Sequence, residues 1–451
     1  MFFAAAFIAP LAACAAVCKT DEKPVEIDPS VRLQRWDGWG TSLCWWANVV
    51  GGYPDDVRRE ALRRVFKDLR FNIVRFNIGG GENPEHHHLE KRAEMPGYLS
   101  KTQQWDWSAD QNQRRVLLEA RRLGVDRFEA FSNSPPYWMT KSGCAAGNAD
   151  AADNLDPARY DEFADYLTEV VKHYRDEWGV VFETLDPMNE PGAHYWPYGG
   201  RQEGCQIDIG AHQSELILAT AKALERKQLE TKISACDESN IDFAVTSWDH
   251  LTPEARKEVW RLNTHAYGGS AQAAIHERAT RDGKRLWMSE YGDGDGSGMT
   301  MARQIVRDLH LMQPTAWVYW QAVEPSGNGW GLLSMDFDGG RTVAKNDKFY
   351  VMSCFSKFLK PGAQFVAVSD QNSVAALVGR DLVIVTVNSG PEREAAFDLT
   401  KFEAGDLAAK VYRSTEREKL GSSPALRVRG GFLKASLAAD SVTTFVISPS
   451  R

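Results

Sequence analysis

Two glutamates a hundred positions apart, Glu190 and Glu290, stand in matching surroundings. Residues 180–191 read VVFETLDPMNEP, a short apolar strand ending on a carboxylate, and Pro191-Gly192 argues against a helix there. Residues 284–292 read KRLWMSEYG, a second apolar strand that ends in a glutamate before a glycine-rich loop. In a (β/α)₈ barrel, a polar residue at the carboxyl end of a strand points into the mouth where catalysis takes place. Two such carboxylates facing across one cleft form the acid and nucleophile, or acid and base, of glycosidic bond cleavage. A lone glutamate is more often half of a surface ion pair. A matched pair at strand ends is not explained that way.

The elements needed to hold that pair recur along the chain. Residues 36–46 read as a first strand entering a loop, with Gly38 and Gly40 allowing close backbone approach. A helix over about 54–69 follows, with Pro54 at its start and Leu62, Val65, Phe66 and Leu69 at helical spacing. Strands are expected at 71–78, 127–131, 180–190, 232–236, 259–262, 284–290 and 316–321, with helices near 109–123, 157–177, 208–228, 270–281, 298–312 and 346–359. Such alternation predicts a parallel eight-stranded barrel over 36–359. From 361 onward short segments of period two, separated by Gly, Asn and Pro turns, predict a β-sandwich. Residues 24–34 return to it as an extra strand, so this unit is expected to comprise 24–34 plus 361–451.

Composition narrows the function. The 451 residues are 43% hydrophobic and 25% charged, ordinary for a globular enzyme and longer than one typical barrel. A net charge of −8 with no basic face argues against nucleic acid as a partner. Fifteen tryptophans and thirteen tyrosines offer flat platforms for sugar rings, although tryptophans also simply fill cores. Residues 1–18 begin with the apolar run MFFAAAFIAPLAACAAV, too short to span a membrane and similar to the apolar part of an export signal. Leu11-Ala12-Ala13-Cys14 matches the pattern in which a bacterial cysteine becomes lipidated, which would anchor the chain at the cell envelope. Ordinary cleavage that discards Cys14 is the plainer alternative. Of the remaining cysteines, Cys44, Cys236 and Cys354 sit in apolar contexts, whereas Cys144 and Cys205 fall in polar loops where they could bridge.

Two further motifs carry less. His86-His87-His88 suggests metal, but adjacent residues rarely aim at one ion, and a solvated loop that touches substrate is the better reading. Asp293 to Gly298 imitates the start of a calcium loop, but Gln304 stands where that loop needs glutamate, so it reads as a loop shaping the cleft. No metal or organic cofactor is implied.

Taken together, Asn189-Glu190, Glu290, His265-x-Tyr267 and Arg75 resemble the clan of (β/α)₈ retaining glycosidases. Ser134-Pro135-Pro136-x-Trp138-Met139 and the appended sandwich resemble glycoside hydrolase family 30. The run Gly38 to Ala47 (GWGTSLCWWA) resembles that family's endo-β-1,6-galactanases. The resemblance implies Glu290 as nucleophile and Glu190 as acid/base. It implies Arg75 and Tyr267 holding Glu290, Asn189 on the sugar 2-hydroxyl, Trp138 and Trp320 as walls, and Asn133 and His265 as floor. Its substrate would be β-1,6-linked galactan of arabinogalactan side chains, cut internally by a monomeric enzyme. Trp45, Trp46 and Trp138 are expected to wall the cleft, and one of Asp37, Thr41, Ser42 or Asn48 to read the axial 4-hydroxyl of galactose. The alternatives are a β-1,6-glucanase or xylanase of the same family, or a noncatalytic carbohydrate-binding protein, which would need no acid/base pair.

Overall fold

The computed structural model describes residues 23–339, 342–402 and 407–449. The apolar run containing Cys14 lies outside them. Eight parallel strands close into a barrel: β2 (Gly38–Ser42), β3 (Ile73–Asn77), β4 (Arg127–Phe131), β5 (Thr184–Asp186), β6 (Lys232–Glu238), β7 (Val259–His265), β8 (Arg285–Tyr291) and β9 (Ala316–Gln321), preceded by β1 (Val25–Arg35) outside it. The ring closes where Gly38 to Thr41 pair with Ala316 to Tyr319. Helices α1 (Trp46–Val50) to α3 (Gln111–Arg122), with α2 at Asp55–Arg63, then α4 (Tyr160–Trp178) and α5 (Ala211–Arg226), surround it. The ring continues with α6 (Ile241–His250), α7 (Pro253–Glu258), α8 (Gln272–Arg281), α9 (Met299–Leu311) and α10 (Asp347–Ser356). Their apolar stripes pack on the outward faces of the strands, as with Val116, Leu117 and Ala120 of α3, all buried. Inside the barrel the floor is a small apolar cluster of Ile73, Trp287, Ala316 and Val318. Arg75, two positions on from Ile73 and so on the same face of β3, begins the polar layer above it.

Several expectations need adjustment. The strand expected to run to Glu190 stops at Asp186, because Pro187 cannot continue the ladder and the chain then turns. The helix expected over 54–69 loses α-helical register after Arg63 and ends in a π-turn at Arg64–Asp68. Helices α6 and α7 lie in a stretch expected to join two strands directly. They are short, and their capping residues Asn240 and Thr252 were the readable signal: each side chain accepts from a first-turn backbone N–H. Three short strands, β10 (Val323–Pro325), β11 (Leu333–Met335) and β12 (Ala344–Lys345), form a small sheet beyond β9 that periodicity could not reveal. Cys144 and Cys205 do not pair; both are free, buried thiols. The three histidines point to separate partners: His87 to Glu82, His88 to Gly200 O and Cys144 Sγ, and His86 edge-on to Tyr198. In the calcium-like loop, Asp293 is held by the Lys348 ammonium at 2.8 Å.

Beyond the barrel come β13 (Gln364–Val368), β14 (Ser373–Val378), β15 (Asp381–Asn388), β16 (Arg393–Asp398), β17 (Ala408–Ser414), β18 (Gly421–Arg427), β19 (Phe432–Leu437) and β20 (Ser441–Ser448). Their hydrogen-bonded order is β18-β17-β20-β15-β14-β13-β1-β16-β19. Strands β20 and β16 are five places apart in that order, about 24 Å if the sheet were flat. Yet the rings of Phe397 on β16 and Phe445 on β20 lie 5.4 Å apart. The sheet therefore doubles over at β1 into two layers, enclosing Ile27, Val366, Ile384 and Leu433 with those two rings. Strand β1 makes the fold, pairing antiparallel with β13 and parallel with β16.

Candidate active site

Glu290 lies on β8 at the carboxyl end of the barrel and Glu190 in the turn that follows β5. Both line one cleft of about 670 Å³. A carboxylate oxygen of each, and a ring nitrogen of His265, lie within 4.8 Å of one another. Glu190 holds a left-handed backbone, φ +48°, a conformation uncommon for a non-glycine residue. Its N–H donates to Asp237 O at 2.9 Å, and Asp237 is itself left-handed at φ +49°. Two residues after Glu190 the chain is held by Glu238, whose carboxylate accepts from Gly192 N. A Cβ on Gly192 would stand 2.9 Å from that carboxylate, so glycine is what lets the turn close. On the opposite wall a Cβ on Gly292 would meet the ring of Trp330 at 2.8 Å, and its absence lets that indole into the cleft.

The surroundings of the two glutamates differ. Arg75, fully buried, donates from Nη1 to Glu290 Oε2 at 2.7 Å, and the Tyr267 hydroxyl donates to Glu290 Oε1 at 3.0 Å. Burial holds the Glu290 carboxyl above the usual carboxylate range, and His265 and Arg75 bring it only part of the way back. Both donors favour its ionised form. Glu190 has no arginine. His265 Nδ1 is 3.0 Å from its Oε1, and the Tyr195 hydroxyl reaches its Oε2. Burial alone would favour a neutral His265, but Glu290, Asp237 and Glu190 outweigh it and push the imidazole up to about 10. At neutral pH this ring is therefore a cation, 3.5 Å from Glu290 Oε1 and 3.3 Å from Asp237 Oδ1.

A buried network supports this layer from below. Arg75 also bonds Glu129 at 2.9 Å and Asp237 at 2.7 Å, and Arg261 bonds Glu129 in turn. Burial opposes ionisation of Asp237, but Arg75 and His265 prevail and hold it well below the usual carboxylate range. Neighbouring Asp186 is pushed far up, by burial first and by Asp237 second. One charged and one neutral carboxyl side by side is the stable state of such a pair.

Of the residues expected from sequence, Arg75, Asn133, Asn189, His265, Tyr267 and Trp320 stand around the two glutamates. Asn189 Oδ1 is 3.4 Å from Arg75 Nη2, and Asn133 donates to Cys44 Sγ. Trp138 does not join them. It lies in a 3₁₀ turn after Pro135-Pro136, with its indole N–H turned to Leu99 O and its ring under Arg159. Trp46 is likewise core, its N–H tied to Ser42 O, so of the three expected indoles only Trp45 walls the cleft, edge-on to Trp320. None of the four residues expected to read an axial hydroxyl lines it. Asp37 is at the other end of the barrel, bonded to Arg285, Trp287 and Thr315. Thr41 and Ser42 bond backbone inside the wall, and Asn48 bonds Arg92 O and Glu94 O.

Sequence reasoning missed Asp237, Glu129, Tyr195 and Trp330. Asp237 had a readable signal, being one more carboxylate at the end of an apolar strand. Tyr195 and Trp330 come from irregular loops that carry none. A larger groove of about 1240 Å³ runs over the neighbouring loops around Arg92 and Tyr98, but the two facing glutamates are not in it.

With two facing carboxylates in unlike surroundings at a barrel mouth, comparison with known proteins is decisive. Residues 22–267 match the family model described as O-glycosyl hydrolase family 30. The chain belongs to glycoside hydrolase family 30. Across the family it is 32% identical to an endo-β-1,6-galactanase of Hypocrea rufa, covering 94% of both chains. It is 24% identical to an exo-β-1,6-galactobiohydrolase of Bifidobacterium longum subsp. longum, over 84% of this chain and 35% of that larger one. The fold superimposes on the catalytic domain of a family 30 xylanase C from Talaromyces cellulolyticus with a TM-score of 0.75, at 20% identity, over 95% of this chain and all of the other.

Proposed function

We propose that this family 30 hydrolase cleaves β-1,6-linked galactan internally, with retention of anomeric configuration. Retention is supported by the spacing: carboxylate oxygens within 4.8 Å suit direct attack by one glutamate, whereas an inverting pair stands about 6.5–9.5 Å apart to admit water. Assignment of roles is supported by the unequal partners. Glu290, ionised against Arg75 and Tyr267, attacks the anomeric carbon; the bond from that carbon to the glycosidic oxygen breaks, and Glu190 gives its proton to the departing oxygen. Glu190 then takes a proton from water as that water displaces Glu290, releasing the sugar. His265 keeps a positive charge between the two glutamates as negative charge leaves Glu290 and returns. Asn189 and Asn133 are assigned to sugar hydroxyls, and Trp45, Trp320 and Trp330 to the ring faces. The rims of Tyr195, Phe243 and Tyr267 stay open to solvent, which suits a polymer lying across the cleft. A polymeric substrate also agrees with export, which fractionation of the producing cell would test.

The substrate reading rests on one observation, the near full-length similarity to an endo-β-1,6-galactanase. Its test is a side-by-side digestion of de-arabinosylated arabinogalactan, β-1,6-glucan and glucuronoxylan. Short galacto-oligosaccharides are expected as early products of the first. Equal or better cleavage of either of the others removes the galactan assignment and leaves the mechanism standing. Proton NMR of the first-formed product tests the mechanism separately: a β-anomer is expected, and an initial α-anomer overturns retention.

A further inference from the structure

A second group of metal-ligating side chains lies away from the glutamates, where the loop after β4 meets the loop after β5. Asp153 belongs to the first loop, Asp208 ends the second, and His212 stands in the first turn of α5. One donor atom from each lies within 4.8 Å of the others. His212 Nδ1 is 2.7 Å from Asp153 Oδ2. Two donors bound to one small cation at about 2.0–2.2 Å are at most about 4.4 Å apart, so the three atoms stand near the reach of a common ion and would shift to bind it.

Orphaned acceptors around the group point the same way. Asp153 is only 8% exposed, and its Oδ1 has no hydrogen-bond partner. Gln206, 4% exposed, reaches toward Asp208 Oδ1 with Nε2 at 3.5 Å, while its carbonyl Oε1 is also without a partner. The buried Tyr160 hydroxyl is a third atom without a partner, and its ring meets His212 edge-on at 6.2 Å. Buried polar groups are nearly always satisfied, and the unpartnered Asp153 Oδ1, beside an exposed Asp208 and a His212 that is 33% exposed, is an acceptor that a cation entering from solvent would satisfy. The nearby ammonium is Lys141, 3.4 Å from Asp153 Oδ2 and 39% exposed, on a side chain free to turn outward. It faces one carboxylate oxygen and reaches none of the orphaned atoms by hydrogen bond.

We propose that Asp153, Asp208 and His212 bind a divalent transition cation, of the Zn²⁺ or Mn²⁺ class, that staples the two loops together. An imidazole among carboxylate and carbonyl oxygens suits those ions better than Ca²⁺, which prefers an all-oxygen shell. The role is structural. The loop after β5 carries Glu190 and Tyr195, and fixing its far end to the preceding loop narrows the positions that turn can adopt.

The test uses the full chain stripped with a chelator and dialysed, then titrated with Mn²⁺ or Zn²⁺. Retained metal is counted by mass spectrometry, bound Mn²⁺ is followed by electron paramagnetic resonance, and Tm is read with and without the ion. One equivalent per chain and a Tm rise of several degrees are expected. Asp208→Asn and His212→Gln should lose the bound equivalent and the rise, while keeping the circular dichroism and Tm of the stripped protein. Retention of no ion overturns the proposal. An ion kept by Asp208→Asn but lost in a Glu190→Gln, Glu290→Gln double variant also overturns it, because that ion would belong to the cleft.

Discussion

The barrel mouth and the sandwich bury their interiors in opposite ways. Between the two layers of the sandwich the enclosed side chains are Ile, Val, Leu, Phe and Ala. At the mouth of the barrel, Arg75, Arg261, Glu129, Asp237 and His265 are as fully buried, and they are all ionisable. Apolar burial stabilises in proportion to area, whereas buried ion pairs recover little more than their own desolvation. An equally compact barrel could be filled with Val and Leu, as its own floor nearly is. The mouth therefore spends stability on a fixed electrostatic field around Glu290, and the sandwich supplies stability without chemistry.

The sharpest way to break that contrast is at Glu290, the proposed nucleophile. Glu290→Ala should reduce turnover by roughly four or more orders of magnitude with the chain still folded. Added azide should restore part of it as an α-glycosyl azide. Glu190→Ala should lose about 10²–10⁴-fold on natural substrate yet spare activated aryl glycosides, whose leaving groups need no proton. Identical losses on both substrate types would show the roles to be wrongly assigned.

Next come two substitutions expected to cost alike and act differently. Arg75→Met strands Glu129, Asp237 and Glu290 without their shared cation, and Phe445→Ala empties the centre of the sandwich. Each should destabilise by about 3–5 kcal/mol in urea unfolding. Only Arg75→Met should also lower kcat/KM of the folded protein and move the acid limb of its pH profile upward, since Arg75 holds the Glu290 carboxyl down. A comparable loss of kcat/KM in folded Phe445→Ala would dissolve the distinction between the two regions.

The pH dependence of stability sharpens it further. His265 is raised from 6.5 to about 10 in the folded chain. Its contribution is complete below pH 6.5, falls as the unfolded chain releases its proton and the folded one does not, and is gone above about 10. Buried Glu238 and Glu203, raised by burial to about 7 and about 8, also cost stability as pH rises, but their change is over by about pH 8. Unfolding measured between pH 8 and 10 should thus decline more steeply in wild type than in His265→Asn. Equal slopes would mean the imidazole is neutral at the site. The smallest effect is expected on the sandwich surface, where Lys401 meets Glu26 and Asp28 in full solvent. Lys401→Ala should leave Tm unchanged within error.

Much of the barrel was legible because its strands are short apolar runs with polar ends. The same pattern marked Glu190 and Glu290, and it held for Asp237 had it been applied there. What the sequence hid were directions. Trp45 and Trp46 are adjacent and chemically alike, yet one lines the cleft and the other is core, since successive side chains entering α1 diverge. The resemblance carried by Ser134 to Met139 makes Trp138 a wall, but two prolines turn the chain before it. Pro187 was a readable sign that the strand ends before Glu190, but the left-handed turn that holds Glu190 depends on Glu238 and Asp237, distant in the chain.

Strand β1 is the first element among the described residues, yet Ile27 pairs with Val368 and Val25 with Phe397. A ribosome delivers β1 long before either partner, and during that interval both edges of the strand stay open. Closing so long a segment as a loose coil is entropically costly and slow. A closed barrel removes that difficulty: with β2 beside β9, residues 36 and 363 are held together, Trp36 N bonding Ala363 O at 2.9 Å. The chain is then in effect a short loop with two tails already side by side. The catalytic unit thus serves as the clamp that lets the sandwich assemble.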